Sequence, residues 1–120
     1  MDIRKAIKKV LEKEFTVHNI GVLDKNATLD LPFVILEMNG LRRAMRSAYL
    51  TFSVFIYVPM KLPIKLDECE KKVMRLLHKK RIEGKEGAFY VENMGSGADF
   101  INEKINALGK VIEFRVPTIY

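Results

Sequence analysis

The chain has no tryptophan, one cysteine and only two histidines among its 120 residues. A lone cysteine, Cys69, excludes an internal disulfide and any zinc site built on cysteine pairs, and a reducing interior is its natural setting. No run approaches the ~18 apolar residues of a membrane span. The N-terminal MDIRKAIKKVLEKEF is charged throughout and lacks the unbroken apolar centre of a signal peptide. We therefore expect a soluble protein made in the cytoplasm, with no membrane partner.

Catalytic patterns are just as scarce. The acidic residues form no DxD, HExxH or ExxH arrangement, which leaves metal-assisted hydrolysis without support. Cys69 and His78 would sit nine residues apart on one helix. At ~1.5 Å of rise per residue that separates them by about 13 Å, too far for a nucleophile and its base. Ser53 lies within a strand and not on a G-x-S-x-G elbow. MGSGAD lacks the GK[ST] ending of a phosphate loop and reads as a flexible connection. The sequence thus predicts a protein that is not an enzyme and takes no cofactor or metal.

What is present is enough for one folded domain over residues 1–120. Apolar residues make up 48% and charged residues 30%, an ordinary globular balance. The net charge is +6, which permits a nucleic-acid or anionic partner but does not demand one, because the basic residues are spread over several segments. A small basic nucleic-acid-binding module is accordingly the alternative reading.

Periodicity predicts the order helix, strands, helix, strands: an α+β fold with a mainly antiparallel twisted sheet. The first helix spans about 2–15, with Ile3, Ile7, Val10, Leu11 and Phe15 on one stripe and Asp2 as a cap. TVHNIGVL leans towards strand, and DKNATLDLP reads as loop. FVILEM (33–38) is a buried strand. A second helix spans 67–80, opened by a capping box of Asp67 and Glu70 and closed by His78, Lys79, Lys80 and Arg81. Cys69, Val73, Leu76 and Leu77 form its apolar stripe, and Gly84 and Gly87 bracket a turn. AFYVE (88–92) and KVIEFRV (110–116) are strands. DFINEKINAL satisfies both periods, and Gly109 breaks it.

The strongest signal is AYLTFSVFIYVP, residues 48–59. Leu50, Phe52, Val54, Ile56 and Val58 share one face of a strand, while Tyr49, Thr51, Ser53, Phe55 and Tyr57 share the other. The second face is too aromatic to be designed for water alone. Two covers are available: a helix of the same chain on each face, or a neighbouring subunit. Between FVILEM and this strand lies LRRAMRS. We read the pair as one long twisted hairpin whose tip and one arm carry Arg42, Arg43 and Arg46. Those charges either blunt a solvated β edge or meet carboxylates and phosphates on a partner. Met45 and Leu41 favour a protein partner. The candidate interface residues are Arg42, Arg43, Met45, Arg46, Tyr49, Phe55 and Tyr57.

The order and texture of PFVILEMNG, AYLTFSVFIYVP with its proline joint, LDECEKKVMRLLHKK, FYVENMG and KVIEFRVPTIY resemble the tail-terminator (tail-completion, head–tail joining) proteins of siphovirus-type phages and prophages. The resemblance covers almost the whole chain but includes no diagnostic motif. It implies a structural virion protein of the tail, made in the host cytoplasm. It further implies a homo-oligomeric ring, often of six copies, on the end of the tail tube. That ring stops tube polymerisation, contacts the tail-tube protein and the head-connector (neck) protein, and lets genomic DNA pass. No functional residue carries over position by position.

Overall fold

The computed structural model describes residues 2–18, 30–44, 47–84 and 87–119. In chain order these form α1 (Asp2–Leu11), β1 (Val17–His18), β2 (Phe33–Ala44), β3 (Ser47–Pro59), α2 (Ile64–Leu77), β4 (Lys80–Gly84), β5 (Gly87–Ser96), β6 (Phe100–Asn102) and β7 (Ala107–Ile119). This is an α+β fold with a mostly antiparallel sheet, as the periodicity predicts. The strand order is β1-β2-β3-β7-β5-β4, with β6 also paired to β7. Among the described strands, only the short β1–β2 pair is parallel.

The alternation in β3 fixes the core through the register of its neighbours. Leu36, Val54 and Ile112 lie in one cross-strand row, and Met38, Phe52 and Phe114 in the next. The Phe52 and Phe114 rings stack 5.2 Å apart and are fully buried. Onto this face α1 lays Ile7 and Leu11, and α2 lays Leu66, Cys69, Val73 and Leu77. Both helices therefore cover the same face, which removes the arrangement with one helix on each side. Cys69 is a core thiol in this cluster, and burial pushes its pKa up.

Three helix boundaries differ from the sequence expectation. α1 stops at Leu11; Phe15 lies past its end, where its N–H donates to the Leu11 carbonyl at 2.9 Å and its half-buried ring packs on the same core as Ile7 and Leu11. α2 begins one turn before Asp67, behind Pro63, whose fixed φ of −62° is already helical. The extra turn brings Leu66 into the buried stripe, and no side chain caps the helix. The end also moves: His78 is extended and Lys79 has φ 56°, so the basic run turns directly into β4. The His78 ring is tied to β5: its Nδ1 accepts the Asn93 backbone N–H at 3.1 Å.

Freed from capping, Glu70 becomes a tie between α2 and the sheet. It accepts the Ser96 hydroxyl at 2.8 Å and pairs with Lys110 Nζ at 2.9 Å. Lys110 also reaches Asp99 at 3.6 Å. Burial alone would raise the Glu70 pKa, but bonds from Lys110 and Ser96 outweigh it and the net shift is downward. Lys110 is correspondingly raised, chiefly by its bond to Glu70. A depressed carboxylate adds stability above its unfolded value, and that stability is lost as pH falls through the folded one. Glu70→Gln is thus expected to melt below wild type near neutrality, with the difference shrinking as pH drops below 4.5, the ordinary Glu value. Thermal melts across that range check it; a gap independent of pH would contradict the tie.

The hairpin of β2 and β3 is long, as expected. Asn39–Gly40 is not its turn but a bulge between Met38 and Gly40, where Gly40 adopts φ 97°. Pairing continues to Ala44 opposite Ser47. NMGSGAD is not a loop throughout: β5 runs on to Ser96 through a second bulge at Asn93/Gly95. The Gly97 N–H is spent on the Val111 carbonyl at 2.9 Å, so it is not offered to a phosphate.

A candidate assembly surface on the second sheet face

DFINEKINAL resolves into strand, turn and strand: β6 turns back onto the start of β7, with Asn102 opposite Ala107. This excursion covers one end of the second sheet face. Phe33, Ile35, Tyr57 and Ala107 are buried there beneath Phe100 and Ile105. The Tyr57 ring meets Phe100 edge-on at 5.8 Å and lies 5.3 Å from Phe33. Burial pushes the Tyr57 phenol up, against a hydrogen bond with the Asn102 side chain that lowers it. Gly109 does not break the strand; it makes room. A Cβ there would stand 2.5 Å from the Phe100 ring. Gly109→Val is expected to expel Phe100 and cost about 1–3 kcal/mol, read as a lowered melting temperature; an unchanged melt would show that Phe100 does not close this end.

Farther along the same face the cover stops. Between Phe55 and Tyr49 lies an open groove of about 600 Å³. Its floor is Thr51 and Ser53, each 5% exposed because the flanking rows stand higher. Ser53 accepts an N–H from Asn39 Nδ2 at 2.8 Å. The register places Glu37 and Glu113 on either side of Ser53, one strand away in each direction. Tyr49, Phe55 and Met94 supply the apolar walls. At the far end Arg115 is held twice: its Nε donates to Glu92 at 2.8 Å, and its guanidinium carbon lies 5.8 Å from the centre of the Tyr49 ring.

Of the aromatic residues singled out in the sequence, Tyr49 and Phe55 are half-buried at this groove. Tyr57 is 3% exposed and belongs to the interior. Its correction follows from the β6 excursion, which is not visible as a cover in the local pattern. In the backbone register Arg42 pairs with Tyr49 and Arg43 with Ala48, so both arginines lie on the β2 arm just beyond the groove. Met45 and Arg46 lie outside the described residues. Sequence reasoning missed Glu37, Met94, Glu113 and Arg115 as members of the site. Glu113 and Arg115 alternate visibly in KVIEFRV, but only the register brings them beside Ser53 and Thr51.

Among the described residues, no group of three or more His, Cys, Asp or Glu could hold a metal ion. No helix among them is long and apolar enough to cross a membrane. No protein-family model matches the chain, and neither does any curated protein.

Proposed function

We propose that this chain is a structural assembly subunit that closes into a ring through its second sheet face, and that the ring serves as a phage tail terminator. The observation that carries the assembly reading is the contrast within one face. The Tyr57 end is capped by β6 and its turn, whereas the Tyr49–Phe55 end is an open groove with half-buried aromatic walls. Aromatics of this kind supply large contact area at low cost in side-chain freedom. Beyond the groove the β2–β3–β7 ladder runs on to Ala44 opposite Ser47 and Ser47 opposite Ile119, in a molecule 45 Å in its longest dimension. The end of the hairpin beyond the groove and the groove itself are different parts of one subunit, and a contact of one subunit's hairpin end with the next subunit's groove is heterologous, a contact that forms a ring where the rotation closes.

The assignment to a phage tail rests on the resemblance in element order and on a reading in which function is geometric. One side of the ring meets the tail-tube protein, the other meets the head connector, and the DNA passes between subunits' inner edges. The test is to mix purified chain with polymerising tail-tube protein and image the products. Capped tubes of arrested length are expected; tubes that elongate as they do without the chain would remove the terminator reading.

A further inference from the structure

On the helix side of the sheet, α1, the last turn of α2 and the edge strand β4 enclose a second groove, of about 480 Å³. Its floor is apolar. Val10 and Leu76 are half-buried and Ile82 is buried, all packed on the main core. Its rim is basic: Lys9 from α1, Lys13 from the turn that follows it, Arg75 from α2, and Lys80 and Arg81 from β4 are all exposed. Glu83 is the one carboxylate in the lining, and it pairs with Arg81 at 3.6 Å. Among the described residues, no ion pair engages Lys9, Lys13, Arg75 or Lys80. A rim of this composition is relieved by an anionic occupant.

We infer that this groove docks an acidic amphipathic segment of a partner protein. The segment's apolar side chains rest on Val10, Leu76 and Ile82, and its carboxylates meet the lysine and arginine rim, where Arg75 and Arg81 present the planar fork that carboxylates match. A nucleic-acid backbone would satisfy the rim but leave the apolar floor uncovered. The lining also offers no aromatic ring on which a base could stack. Docking here does not depend on ring formation, because it uses the opposite face of the sheet.

The probe is a fluorescein-labelled synthetic helix of leucine and glutamate with one apolar face, beside a permuted peptide of identical composition and a DNA duplex of similar length. Wild-type protein is expected to bind the amphipathic peptide at least about tenfold more tightly than the permuted one, and the double variant R75Q/K80Q to lose about tenfold. Both substitutions are at exposed positions, and circular dichroism confirms that the fold is kept. Equal binding of the two peptides would reduce the groove to unspecific charge and overturn the inference. Tighter binding of the duplex, lost in the same variant, would overturn it in favour of nucleic acid. Undiminished peptide binding by the variant would place the contact elsewhere.

Discussion

Phe52→Ala is expected to cost about 3–5 kcal/mol, the range for emptying a large aromatic from a core that cannot collapse around the gap. Three observations place it at the top of that range. Phe52 is fully buried, its ring stacks on Phe114, and it lies in the central strand between β2 and β7. Both edges of its strand are fixed by long neighbours, β2 of twelve residues and β7 of thirteen, which leaves little room for relaxation. A domain of ordinary stability, about 5–15 kcal/mol, loses a large share of it. A chain of this length should melt roughly 10–20 °C lower. Tyr90→Ala is the internal control: Tyr90 is 59% exposed, and its loss should shift stability by less than about 1 kcal/mol. Equal effects of the two substitutions would mean that the stacked pair is not the centre of the core.

The second large effect separates assembly from folding on one strand. Tyr49 and Tyr57 point to the same face of β3, but Tyr57 is sealed beneath Phe100 and Tyr49 borders the open groove. Tyr57→Ala should lower the melting temperature. Tyr49→Ala should leave it nearly unchanged and weaken subunit association by about 2 kcal/mol or more per contact, as loss of a buried aromatic anchor does. In a ring every subunit repeats that loss, so sizing should show the Tyr49 variant as monomer at concentrations where wild type is assembled. Replacing Arg42, Arg43 and Arg46 together by glutamine should fall in the same class as Tyr49→Ala, with the fold intact and joining impaired. Wild-type assembly by that variant would return the arginines to the role of blunting a β edge.

How far the sequence carried these conclusions depends on the range of the interactions involved. β3 and β7 were legible because a strand with one buried face writes its period of two into five alternate apolar positions, Leu50 to Val58, and again into Ile112, Phe114 and Val116. The long hairpin was legible only as the favoured of two readings of LRRAMRS, extended arms over a protruding loop. β4 was not: KRIEG buries only Ile82, and its basic residues mimic the end of a helix. The start of α2 was misplaced because Asp67 and Glu70 have capping spacing, whereas Pro63 already supplies the first helical angle and Glu70 is drawn to Lys110 across the sheet.

The question raised by the second face of β3 had a third answer beyond a packed helix or a neighbour. Residues 97–106 fold back as β6 and a turn over half of it. Nothing in DFINEKINAL distinguishes that outcome from a short helix, since Phe100, Ile101, Ile105 and Leu108 fit a helical stripe while Ile101, Glu103 and Ile105 alternate. The decision rests on a non-local fit, Phe100 over the bare backbone of Gly109. The groove that remains is likewise a product of register. Glu37, Ser53 and Glu113 are neighbours only because three strands align them.

Sedimentation velocity on the purified wild-type chain over a concentration series, with negative-stain images of the same samples, tests the central claim most directly. Closed rings of uniform size, dispersed by Tyr49→Ala and retained by Tyr90→Ala, are the predicted result. A monomer at every concentration, alone and with tail-tube protein, would contradict it.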